Sequence, residues 1–202
     1  MNRPFYAAAL VACLLLLTTP AFAHAPIMGI GGVFGGLLHA LLIPEHGASL
    51  FALGIVLGRQ QTIPRRSGLL IFGAALMCGL VLAGFGIPQG LAADVLVLAM
   101  CILGILVAAA WAPPLLAWVL AAVAGLTFAL DSTPETTSLD ETIRMLIGSG
   151  IGAAAVLAIV AEGSALFQGN VQRIVMRVLG SWIAASAILV LSLRLVTHIA
   201  VS

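Results

Sequence analysis

The sequence predicts an all-α protein, a polytopic bundle of transmembrane helices. Composition is the first observation. Apolar residues make up 62% of the 202-residue chain and charged residues only 7%, against about 25% in soluble domains. Mean hydropathy is +1.24. The second observation is segmentation. The apolar residues fall into runs near the roughly 20 residues that a spanning helix needs, separated by proline, arginine or one acidic stretch. The net charge of +1 offers no basis for a nucleic-acid partner. Cys13, Cys78 and Cys101 lie in apolar runs without a CxxC pair. Neither a disulfide framework nor a cysteine zinc site is expected.

Residues 1–23 read as a secretory signal peptide. Arg3 supplies the positive start, Ala7 to Leu17 the apolar stretch, and Pro20 the helix break. "AFA", Ala21 to Ala23, has the small-x-small cleavage pattern. Cleavage leaves residues 24–202 as the transmembrane domain, with His24 at the mature N-terminus. An uncleaved first span is the rival reading. About six spans follow, over 28–58, 68–86, 91–112, 114–130, 145–167 and 178–200. Pro113 and Pro114 divide the third from the fourth. "DSTPETTSLDETIR", 131–144, is the long polar connection. As one helix, 28–58 would run about 46 Å, against a hydrocarbon core of about 30 Å. It must tilt, protrude or break, and Pro44 with Gly47 supplies a break.

Orientation follows from arginine, since the chain has no lysine. A periplasmic N-terminus puts Arg59, Arg65, Arg66, Arg173 and Arg177 in the cytoplasm and the acidic loop outside. Of the loop arginines only Arg144 lies outside, as the positive-inside rule prefers. The expected location is a bacterial inner membrane, with the lipid bilayer as solvent. Gly31 with Gly35, Gly32 with Gly36, and Gly148 with Gly152 have the spacing that lets helix backbones approach. This places the first and fifth spans inside the bundle.

"HALLIPEH", 39–46, puts His39, Glu45 and His46 where hydrocarbon is expected. Ionisable groups there need partners. On a straight helix the two histidines would stand about 10.5 Å apart along the axis. Side chains lean toward the helix N-terminus, so His46 leans toward His39 while His39 leans away. A regular helix therefore makes a shared ion difficult, whereas unwinding at Pro44 brings the ligands together. Imidazole with carboxylate suits nickel, cobalt, zinc or copper(II) rather than calcium or magnesium.

Further polar residues extend this site into a route. His24 offers an α-amine and an imidazole at the outer mouth, unless it is simply the residue after a cleavage site. Asp94 opens the third span, where a helix dipole favours an acid. Arg194 and His198 lie one turn apart near the outer end of the sixth span. Arg194 either snorkels or pairs with an acid such as Asp94. Glu162, in "AIVAEGSALF", must be protonated, paired or a cation ligand. From outside to inside the order is His24, Asp94 and His198, the His39–Glu45–His46 cluster, then Glu162. Met77-Cys78 and Met100-Cys101 read as packing; facing a pore, their sulfur would favour copper(I).

"GGLLHALLIPEHGASLFALGIVLG", 35–58, resembles the first transmembrane signature of the HupE/UreJ family. That signature has a histidine, five intervening residues, an acid–histidine pair and an apolar run ending in glycine. Ala40 stands where the family has proline, Ile43 where it has glycine, and Glu45 where it has aspartate. The later histidine-rich signature corresponds to "FALDSTPE", 128–135, which has no histidine. The resemblance implies a nickel or cobalt permease linked to hydrogenase or urease maturation proteins, with His39, Glu45 and His46 handling the metal. Copper and zinc stay open, as does the oligomeric state. A non-transporting membrane metal-binding assembly factor or chaperone is the alternative. With no nucleotide-binding loop and no nucleophile–base pair, neither ATP hydrolysis nor an enzyme is expected.

Overall fold

The computed structural model describes residues 31–85, 91–133, 138–167 and 169–201, with backbone only over 198–201. The signal segment and His24 lie outside the described residues. Within them the fold is all-helical. The helices are α1 (Gly32–Leu42), α2 (Pro44–Gly58), α3 (Thr62–Gly84), α4 (Ala92–Ala109), α5 (Pro114–Asp131), α6 (Leu139–Leu166) and α7 (Asn170–Val201). Five of them, α3 to α7, are each long and apolar enough to cross a membrane, and α1 with α2 makes a sixth span bent by 71°.

The bend follows from local chemistry. The proline ring drives the preceding residue out of the helical region. Ile43 accordingly sits at φ −79°, ψ 115°. Pro44 then opens α2 in its first turn, where a missing N–H costs nothing. It also removes the donor that the Ala40 carbonyl would meet in a continuous helix. The α2 helix rises about 22 Å, less than the roughly 30 Å hydrocarbon core. A charged residue such as Arg59, ending an apolar helix, belongs at an interface, which puts the break inside that thickness.

Several helices start before their apolar runs. Arg65 and Arg66 lie in the first turns of α3, and Arg173 and Arg177 in those of α7, where hydropathy alone predicts loops. Hydropathy marks where charge ends, while a helix continues into the interface because arginine snorkels. For α6 the cause is a cap. Ser138 Oγ accepts from the Glu141 N–H at 3.3 Å, with Asp140 and Glu141 in the first turn, where the dipole favours acids.

The central helix is α2, which touches each of the other described helices. Leu50 and the run Ala52–Leu57 are at most 1% exposed, apart from Gly54, which is also buried. Around it three pairs cross closely. A Cβ on Gly36 would strike the Met145 carbonyl, and one on Gly148 the Val33 carbonyl, which locks α1 to α6. A Cβ on Gly125 would lie 2.6 Å from the Phe72 carbonyl, at the crossing of α3 and α5. One on Gly104 would lie 2.6 Å from the Ala184 nitrogen, where α4 crosses α7. The glycine pairs thus mark contacts, and α2 gives the first span its expected interior place, but that place needs correction for α1 and for the fifth span, α6. α1 exposes Phe34, Leu41 and Leu42, and α6 exposes Ile147, Ile151 and Ile159. Glycine spacing reports a close neighbour, not burial on all sides.

Charge is segregated along the bundle. At one end Arg59 Nη1 donates to the Val107 carbonyl, Arg177 Nε to the Ala108 carbonyl, and Arg65 Nε to Glu162. At the other end Arg194 reaches Glu45 and Asp94, His46 meets Asp131, and Glu141 accepts from the Gly32 N–H. The arginines assigned to the cytoplasm do share an end.

Candidate functional site

His46 lies in the first turn of α2 and is fully buried. Its Nε2 meets Asp131 Oδ2 at 2.8 Å. Its ring centre is 4.5 Å from that of Phe128, tilted by 46°. His39, at the end of α1, packs edge-on to it, with ring centres 5.4 Å apart and planes at 69°. The break at Ile43 makes this meeting possible. A straight helix would hold the residues about 10.5 Å apart.

The His46–Asp131 bond sets the chemistry of the ring. An ionised carboxylate only accepts, so Nε2 carries the hydrogen and donates. In the neutral ring that leaves the lone pair on Nδ1, which is buried with no hydrogen-bond partner among the described residues. An unsatisfied buried polar atom costs about 1–3 kcal/mol. The same carboxylate–imidazole arrangement orients metal-ligating histidines and raises their basicity. Two imidazoles sharing one ion at about 2.1 Å place their ring centres roughly 5 Å apart. The observed 5.4 Å is close to that spacing. Two helix C-termini, of α1 at Leu42 and α5 at Asp131, add negative dipole ends that favour a cation. Among the described residues no group of three or more histidine, cysteine, aspartate or glutamate side chains is gathered to hold a metal. Any ion here would rest on the two imidazoles, completed by water or backbone oxygen.

Glu45 takes a different direction from its neighbour. Arg194 Nη2 donates to both Glu45 oxygens, at 2.8 and 2.7 Å, and Nη1 donates to Asp94 Oδ1 at 2.9 Å. The anticipated Arg194–Asp94 pair is present, and it includes Glu45. These three side chains remain 23–44% exposed, unlike the fully buried His46. Two carboxylates against one guanidinium leave that cluster negative.

The other anticipated residues are placed elsewhere. Glu162 is 56% exposed and paired with Arg65 at 3.1 Å, at the arginine-rich end. It is not beside His46. His198 lies in α7, its side chain outside the described residues. Met77 and Cys78 face outward, whereas Met100 and Cys101 are buried against Val97 and Ala187. The two sulfur pairs line no common channel.

Asp131 was missed from the sequence, where it counted as the start of the acidic loop. A signal was available. Ala117, Ala121, Ala124 and Phe128 form the buried stripe of α5, and helical spacing continues that stripe to position 131. An acid ending a buried stripe points inward.

A family model described as HupE / UreJ protein matches residues 11–190. The chain belongs to the HupE/UreJ family. No curated protein and no solved structure matches it. Membership in HupE/UreJ suggests a role connected with nickel or cobalt transport. The match spans helices α1 to α6 and most of α7, so it extends well beyond the motif at 35–58.

Proposed function

We propose that this HupE/UreJ chain is a secondary permease that moves a divalent transition metal, nickel or cobalt, across the bacterial inner membrane through the bent span. The observation that carries the reading is His46. It is a fully buried imidazole, oriented by a carboxylate, with a free ring nitrogen and a second imidazole beside it. In this reading Glu45 and Asp94 collect the cation at the mouth, His39 and His46 hold it, and Asp131 positions His46. His24 and His198 belong to the entry. Glu162 is the last carboxylate, reached once Arg65 releases it. The ion moves inward with the membrane potential, worth about 2.3 kcal/mol per charge for each 100 mV. A site of few protein ligands suits cargo that must leave again.

In the described conformation the way onward is shut. Leu50, Leu53, Ile55 and Leu57 of α2 are at most 1% exposed, so transport requires helices to part around α2. That closed core also favours a second reading, a membrane metal-binding assembly factor that does not transport. Cells expressing the wild type or His46→Ala at matched membrane levels separate the two. Nickel, cobalt, copper and zinc accumulation would be measured side by side. The permease reading expects one metal to rise with the wild type alone. The assembly reading expects no rise, with metal still bound to the purified wild type. An equal rise with both proteins would remove His46 from the route.

A further inference from the structure

Arg59, Arg173 and Arg177 form a cluster that the proposed metal route does not use. Arg59 follows α2, while Arg173 and Arg177 lie one turn apart near the start of α7. Two of them are fixed to the end of α4. Arg59 Nη1 donates to the Val107 carbonyl at 3.2 Å, and Arg177 Nε to the Ala108 carbonyl at 2.8 Å. A helix C-terminus supplies about half a negative charge, which offsets only part of three full positive charges. Arg173 bonds the neutral Asn170 side chain at 3.3 Å. Among the described residues none of the three is paired with a carboxylate.

The cluster is held together against its own repulsion. Burial, and then the neighbouring charges of Arg173 and Arg177, push the Arg59 guanidinium below its ordinary value. A cavity of about 190 Å³ lies against Arg59, lined also by Gln60, Val107 and Trp111. Guanidiniums gathered in this way offer planar sets of donors that match phosphate oxygens. Their depth follows from tryptophan, which collects at headgroup level. Trp111 lines the cavity, and Trp118 donates to the Pro64 carbonyl at the same end. The flanking helix faces are apolar, with Ile105, Leu115, Ile174 and Val175 exposed.

We propose that Arg59, Arg173 and Arg177 bind the phosphate of an anionic phospholipid from the adjoining leaflet. The exposed apolar faces take its acyl chains, which a free anion or an acidic protein surface does not supply. The site is independent of the metal reading. Its place at the ends of α2, α4 and α7 lets the lipid clamp the central helix to two neighbours.

The test uses the full chain in nanodiscs of phosphatidylcholine, alone or mixed with phosphatidylglycerol. Thermal stability and lipid retained through purification would be read together. Phosphatidylglycerol should raise the melting temperature and be selectively retained. Each guanidinium removed should lower retention about fivefold. Arg173→Gln is the informative single variant, because the Arg173 side chain bonds Asn170 on its own helix and ties down no other helix, so its loss should leave the fold intact. Adding Arg59→Gln and Arg177→Gln should bring the loss to about a hundredfold. Arg144→Gln, at the opposite end, should change nothing. Unchanged retention in Arg173→Gln would overturn the site. So would equal stabilisation by phosphatidylcholine alone, by inorganic phosphate in detergent, or by an acidic peptide.

Discussion

His46→Ala is expected to abolish nickel binding by the purified protein while leaving its helical content unchanged. The ring supplies the buried Nδ1, which has no hydrogen-bond partner among the described residues, and the Nε2 bond that orients it. Asp131→Asn tests the orienting bond separately. The amide keeps the size of the carboxylate but loses the charge that fixes the Nε2 hydrogen. Removing a partner of this kind typically costs 10–100-fold in metal affinity, so a loss of about that size is expected in a calorimetric titration. Helical content by circular dichroism would accompany both measurements. A His46→Ala protein that binds as tightly as wild type would show that the buried ring is packing alone. An Asp131→Asn protein with wild-type affinity would reduce the 2.8 Å bond to a structural contact.

The second large effect concerns the fold. Gly148→Ala places a methyl against the backbone carbonyl of Val33, and Gly36→Ala one against that of Met145. Neither obstacle is the end of a flexible side chain, so α1 and α6 must separate. Overpacking of this kind costs about 1–3 kcal/mol, more than the gain of up to about 1 kcal/mol in helix propensity from glycine to alanine. Separation also carries His39 away from His46, because His39 sits on α1. Lower thermal stability and weaker metal binding should therefore appear together. Gly163→Ala is the control. Nothing lies within 4 Å of its added Cβ, so stability there should stay the same or rise. Equal melting temperatures for Gly148→Ala and Gly163→Ala would contradict the close crossing.

Much of this fold was legible in the sequence, for identifiable reasons. Spans were found because hydrocarbon demands long apolar runs. The broken first span was found because about 46 Å of helix does not fit a core of about 30 Å and a proline stood in its middle. The meeting of His39 with His46 followed from that break. The directions of side chains were not legible. Glu45 and His46 are neighbours in sequence, yet one turns to Arg194 and the other to Asp131. That divergence depends on which helices stand on either side of α2, and no local pattern states it. The same holds for the bridge from Arg194 to two acids on different helices. Asp131 was within reach, since the stripe that ends in it was present, but its position at the edge of a polar segment drew it into the loop.

Permeation requires a transition-metal ion to pass through the His39–His46 site. Uptake of nickel and cobalt into proteoliposomes of purified protein, under an imposed inside-negative potential, tests it most directly. Uptake by the wild type should rise with the potential and be absent in His46→Ala. Uptake at the same rate in both proteins, or none in a wild type that still binds the metal, would contradict it.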